Sequence, residues 1–522
     1  MVVLLVIVFV CLVPVAASAQ PLPELPKVIV ETGPTPEGGR TIAVAAGGDF
    51  QAALRQAQPG DVITLAAGAT YTGPFVLPSK SDSGWITVRT NAPDQRLPAP
   101  GARIDPSHGP FMPALVAASG SVIATAPGAH HYRFVGVEIR PQAGHFLYNL
   151  VLLGPDARTA SDLPHDIIFD RCYVHGDPQK GTRRGLALNA RSVAVIDSYL
   201  SDFKEDGGDS QAIAAWNGPG PFRIVNNYLE AAAENVLFGG ADPKIRDLVP
   251  ADIEIRRNHF SKPLSWRIGD PAYAGTPWSV KNLFELKNAR RVLVEGNVFE
   301  QNWGHAQTGF AIIFTVRNQD GTAPWSVVED VTFRRNIVRH TGSGVNILGR
   351  DKNPSQQTKR ILIADNLFDV NGERWQGEGR LFQVLGGTAD VVIEHNTAFQ
   401  TGPIMMADYD KNSGFVYRSN ITNKGNYGFF GGNVGEGIVA LNRYFPGYQF
   451  LRNIIIGGLA SAYPRDNSFP ASVDAVGFRD PVNADYRLAA SSRYRNTGTD
   501  GRDPGADLEA LLTATAGVRQ PR

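Results

Sequence analysis

One short pattern recurs through this chain: an apolar residue, any residue, an apolar residue, two variable residues and Asn. It occurs as Phe222/Ile224/Asn227, Ile253/Ile255/Asn258 and Val292/Val294/Asn297, and the Asn returns at 336, 366, 396, 420 and 453. Successive Asn lie 31, 39, 39, 30, 30, 24 and 33 residues apart, so the motif is regular while the insertions are not. A period in this range marks a stacked array. Related runs, Ile167–Phe169 leading to Cys172 and Val193–Val195 leading to Ser198, extend it upstream.

Each unit carries short alternating strands and no amphipathic helix, which leaves a parallel β-helix or a propeller. Propeller blades need four strands over about 40–45 residues, so spacings of 24 and 30 exclude them. In a β-helix, successive coils stack identical positions. An Asn at one corner then tolerates a left-handed backbone and bonds to the Asn of the next coil. These Asn are expected to be corner residues and not ligands. The fold class is therefore all-β, a single-stranded parallel β-helix solenoid over residues 45–490.

The flanking segments follow from local chemistry. Residues 1–19, MVVLLVIVFVCLVPVAASA, read as a signal peptide with a small-residue cleavage site before Gln20, so a secreted, periplasmic or extracellular protein is expected. Residues 20–44 are a Pro- and Gly-rich extended leader. Asp49 N-caps a short helix with Phe50, Ala53, Leu54 and Ala57 on one face, stopped by Pro59-Gly60; it is expected to cap the first coil. Residues 491–522 form a tail or cap, with a short helix over Asp507–Thr515. No other stretch reaches the roughly 18 apolar residues needed to span a bilayer, so no membrane span is expected in the mature chain. Cleavage would leave Cys172 as the sole cysteine and no intrachain disulfide. With 50 basic and 50 acidic residues the formal charge is zero, which excludes the basic field a nucleic-acid partner requires. A capped β-helix has no structural need to associate, so a monomer is expected.

After each Asn comes a second strand-like run. Laid over one another by apolar positions, SQAIAAWN, ENVLFGGA, KNLFELKN, GFAIIFTV and GVNILGRD begin at Ser210, Glu234, Lys281, Gly309 and Gly344. Their polar entries put Asp209, Glu234 and Lys281 in one column. Coils lie about 4.8 Å apart, within reach of a salt bridge or a shared cation.

The helix, the PGDVITLAAGATYTG opening and the many φxφxxN coils resemble the pectin-lyase-like right-handed parallel β-helix superfamily, and particularly its secreted polysaccharide lyases. The resemblance covers most of residues 45–490 and implies a right-handed coil. It also implies an acidic polysaccharide as partner and β-elimination assisted by Ca²⁺, since a uronate C5 proton becomes removable once a hard cation neutralises the adjacent carboxylate. On that resemblance Asp206, Asp209, Glu234 and Asp242 are candidate cation ligands and Lys281 the candidate base. Arg267 or His305 would bind the substrate carboxylate or donate a proton. Trp266 and Trp303, clustered with Trp216 and Trp278, are candidate sugar-stacking residues, and Lys287 a candidate substrate contact. A base lysine would need its pKa lowered by burial or neighbouring positive charge.

Two other readings stay open. A glycoside hydrolase of the same fold needs two carboxylates about 5–9.5 Å apart, for instance Asp206 or Asp209 with Glu234 or Asp242. A non-catalytic surface protein would use the long face as a glycan platform. His130-His131 and His165/His175 lack a completing carboxylate pattern and are expected to be structural or surface residues.

Overall fold

The computed structural model describes residues 20–35, 38–154 and 156–519; the expected signal peptide, 1–19, lies outside them. Three parallel sheets of 14, 12 and 13 strands run the length of the molecule, joined coil by coil. Each coil contributes one strand to each sheet, as in Phe222–Val225, Tyr228–Ala231 and Glu234–Phe238. The chain is thus a parallel β-helix. The core is a continuous stack of inward residues such as Phe222, Ile253, Val292 and Val331, registered one above another.

The Asn residues form the ladder the repeat implies. Asn227 Nδ2 donates to Asn258 Oδ1 at 3.0 Å, and the same bond runs from Asn258 to Asn297, Asn336, Asn366, Asn396, Asn420, Asn453 and Asn467. Each Oδ1 also accepts a backbone N–H from the preceding coil, and each Nδ2 reaches a carbonyl of that same preceding coil, as Asn297 does with Ile255. The left-handed residue is the one before the Asn, not the Asn itself: Asn226, Arg257, Gly296 and Arg335 have φ of 58°, 55°, 68° and 53°. The Asn is selected for the two donors and the double acceptor of its amide, which fill a corner that water cannot reach.

The helix Phe50–Gln56 is present, with the Asp49 side chain accepting from the Ala52 N–H. It touches Thr41–Val44 and Phe75–Leu77, edge strands of two sheets. The two flanking segments lie along the side of the coil. From Gln20 to Thr35 the chain runs over the outer face of the 14-stranded sheet. Gln20 bonds to Asp390, the Glu24 and Lys27 N–H groups donate to Asp330 and Asp252, and Arg223 donates to the Val30 carbonyl. The helix Leu508–Thr515 and its flanks run back along a neighbouring corner, where Arg257 and Arg103 donate to the Ala514 and Val518 carbonyls.

Candidate active site

Four consecutive strands of the 12-stranded sheet, Arg184–Leu188, Gln211–Ala215, Glu234–Phe238 and Asn282–Leu286, begin at one corner of the coil, and their first residues stack as Arg184, Gln211, Glu234 and Asn282. Arg184 Nε donates to Gln211 Oε1, and Gln211 Nε2 to Glu234 Oε2, both at 2.7 Å. The column expected from apolar alignment is therefore out by one residue at Glu234. Strands such as Gln211–Ala215 and Glu234–Phe238 are buried along their whole length, and period-2 patterning cannot fix the register of a strand apolar on both faces.

The three side chains of that column nevertheless meet. Lys281, in the turn before Asn282, donates to Asp209 Oδ1, and its Nζ lies 3.7 Å from Glu234 Oε1. Glu234 is fully buried, and its Oε1 has no hydrogen-bond partner. Burial first, then the charges of Glu285 and Asp209, raises its pKa above the usual carboxylate range. Burial alone would lower Lys281, but the charge of Glu234 and the bond and charge of Asp209 outweigh it, and its pKa is raised. In the resting protein Lys281 is an ammonium ion, the opposite of the lowered amine expected of a base. Its side chain is 18% exposed and that of Asp209 43%, so these two form the accessible surface of the cluster and Glu234 stands behind them.

A second lysine, not singled out by the sequence, supports this corner. Lys262 is fully buried, and its Nζ donates among five oxygens: the carbonyls of Ala231, Ala232, Ala233 and Asn282, and Asn235 Oδ1, at 2.7–3.0 Å. Burial pushes its pKa down. Five acceptors with no opposing donor hold the ammonium form. Lys262 thereby pins the Ala231–Ala233 turn that leads into Glu234 and the backbone next to Lys281.

The remaining candidates separate into those near the cluster and those elsewhere. His305 is exposed and accepts at Nδ1 from the N–H of Val280, the residue before Lys281, at 3.3 Å, which leaves the ring proton on Nε2. Lys287 Nζ lies 3.6 Å from Glu285, whose other oxygen accepts from Asn282 Nδ2. Arg267 donates to the Arg374 carbonyl and stacks over Trp375 at 4.8 Å, so it is committed to that loop. Trp266 and Trp303 are only 4% and 1% exposed and pack with Trp278, Trp375, Ala232 and Val280. They anchor the long loops and offer no face to a sugar, which corrects the stacking role expected for them. Asp242 accepts from the Thr322 N–H and hydroxyl and from the Asp320 N–H, holding a loop. Asp206 is exposed in the turn before Asp209. Among the described residues, the carboxylates of Asp206, Asp209, Glu234 and Asp242 do not converge on one point. A cavity of about 740 Å³ lies apart from this corner, between the leader and the 14-stranded sheet, where Arg133 and Arg171 are already paired with Asp170.

No protein-family model matches the chain, and no curated protein sequence does. Among solved structures it is similar to a mannuronic-acid-specific family 6 polysaccharide lyase from human gut microbiota, at 12% identity, over 92% of this chain and 96% of that one, with a TM-score of 0.50. A family 6 alginate lyase aligns at 14% identity over 92% of this chain and 59% of that one, with a TM-score of 0.48. An alginate lyase from Paenibacillus sp. str. FPU-7 aligns at 14% identity over 78% and 98%, with a TM-score of 0.32. At these identities the likeness is one of fold, and the chain shares with the first of these proteins the three-sheet parallel β-helix that the pectin-lyase-like resemblance implies.

Proposed function

We propose that this chain is a polysaccharide lyase that cleaves a uronate-containing polymer by β-elimination at the Asp209/Glu234/Lys281 corner. The observation that carries the reading is Lys281 Nζ between Asp209 and Glu234 Oε1, a buried carboxylate oxygen with no hydrogen bond. A lysine there lies at the surface, where a long polymer can pass along the face. Lys281 Nζ takes the C5 proton of the uronate, the electron pair forms the C4–C5 double bond, the C4–O bond breaks, and the leaving oxygen is protonated. His305, whose Nδ1 is held by the Val280 N–H, is the proposed donor of that proton through Nε2.

The resting Lys281 holds its proton because two carboxylates face it, so base function requires those carboxylates to be engaged elsewhere. A hard cation such as Ca²⁺, with Glu234 and Asp209 among its oxygen ligands, would when bound neutralise the substrate carboxylate. Glu234 Oε1, buried and without a donor, is the ligand this chain holds ready.

One observation favours a hydrolase: the raised pKa of Glu234 is what a general acid needs. The test is ultraviolet absorbance of the conjugated product with polymannuronate, pectate and other acidic polymers, with and without Ca²⁺, on wild type, Lys281→Ala and Lys287→Ala. A cation-dependent rise abolished by Lys281→Ala supports the reading. New reducing ends without absorbance select the hydrolase. Silence in both assays with retained glycan binding selects the platform reading, and a rise unaffected by Lys281→Ala removes Lys281 from the reaction.

A further inference from the structure

We propose that His131, His165 and Asp166 form a binding site for a transition-metal dication of the zinc class, on a different sheet from the Lys281 corner. The strands His130–Val135, His165–Asp170 and Arg191–Ile196 are neighbours in the 14-stranded sheet, with His130, His165 and Arg191 in register. The second residue of each, His131, Asp166 and Ser192, has a left-handed backbone with φ of 58°, 53° and 56°. Three successive coils therefore bring His, Asp and Ser together at one irregular position. The carboxylate that spacing alone did not supply is the neighbour of His165.

Donor atoms of His131, His165 and Asp166 all lie within 4.8 Å of one another. His165 Nδ1 is 2.6 Å from Asp166 Oδ2, and His131 Nε2 is 3.9 Å from the same oxygen. Metal–ligand distances near 2.0–2.2 Å in a tetrahedron put ligand atoms about 3.4 Å apart. The two observed separations to Asp166 Oδ2 bracket that value.

The ring protons make the case sharper. His130 Nε2 lies 3.0 Å from the Lys80 carbonyl, which only accepts, so Nε2 carries the proton. In the neutral ring His130 Nδ1 then accepts, and the donor 2.8 Å away is His131 Nδ1. His131 Nε2 is left with a bare lone pair facing a carboxylate oxygen. Two electron pairs turned toward each other across 3.9 Å are reconciled by a cation. Lys80 and His130 orient His131 as an outer ligand shell does, and Ser192 Oγ, donating to Asp166 Oδ1 at 2.7 Å, fixes the carboxylate. Two imidazoles and one carboxylate suit zinc-class ions and not Ca²⁺, and a fourth position remains for water. His165 ligates through Nδ1, its proton moving to Nε2 by way of solvent.

The test uses the untagged mature chain, stripped by chelator and titrated with Zn²⁺ by calorimetry and with Co²⁺ by visible absorbance. One equivalent, the bands of four-coordinate Co²⁺ and a Zn²⁺-dependent rise in Tm are expected. His131→Gln and Asp166→Asn should weaken binding at least tenfold, while His175→Gln leaves it unchanged. Absence of stoichiometric binding to wild type, or binding that survives both substitutions, overturns the site. Should a variant not fold, protection of His131 and His165 of the wild type by Zn²⁺ against diethyl pyrocarbonate decides it: protection supports the site and its absence overturns it.

Discussion

The Lys262 ammonium lies 2.9 Å from the carbonyl oxygen of Asn282, the residue that follows Lys281. A surface-looking lysine is thus the interior fastening of the candidate site. Lys262→Met removes the donor to five oxygens. The expected loss is about 3–5 kcal/mol, read as a lower denaturant midpoint, because breaking a buried charged network leaves its partners unpaired. A midpoint unchanged within about 0.5 kcal/mol would show that water replaces the ammonium.

Glu234→Gln tests how Lys281 is held. Glu234 raises the Lys281 pKa, so removing its charge lowers that pKa and increases the free-amine fraction at a given pH. The ascending limb of the kcat/KM–pH profile should move to lower pH in the absence of added cation. A limb that stays in place assigns it to another group.

Glu300, on the 13-stranded sheet, gives a stability test. Burial would raise its pKa, but the bond and charge of His259 and then Arg339 hold it down at about 2 against an ordinary 4.5. A depressed carboxylate contributes stability above its unfolded pKa and loses it as pH falls through the folded one. The contribution, about 3 kcal/mol, should disappear between pH 4.5 and 2. Stability–pH curves of wild type and Glu300→Gln should converge over that window; parallel curves would deny Glu300 the role.

Asn297→Ala should cost about 3 kcal/mol by chemical denaturation, since it strips a donor pair and an acceptor from a corner sealed from water. Asn297→Asp should be no better, because a carboxylate accepts but cannot donate to Ile255 and Asn336.

Trp303→Ala is expected to lower stability by about 3–5 kcal/mol, whereas Trp303→Phe, which keeps most of the buried ring, should leave KM for polysaccharide unchanged. A selective loss of glycan affinity in the Phe variant would restore the stacking role that burial removes.

How far the sequence was legible follows from what a repeat encodes. Asn227 to Asn453 recur because each must satisfy the same corner, and that requirement is written at one position per coil. Apolar alignment puts Glu234 in its column but one residue out of register, because apolar residues on both faces of its strand erase the alternation that would place it. Lys262 carries no signal at all: between Ser261 and Pro263 it reads as a loop residue, and only the carbonyls of another coil make it buried. Trp266 and Trp303 looked like sugar platforms because their neighbours in sequence are loop residues, while their neighbours in space are each other.

The leader has a consequence for the order of assembly. Gln20, Glu24 and Lys27 bond to Asp390, Asp330 and Asp252, partners 370, 306 and 225 residues downstream. None of these contacts exists until the corresponding coil has been laid down, and contacts this distant in sequence are slow to form. The segment that precedes the coils in the chain is therefore among the last to find its place, and its docking records that the coils beneath it are complete.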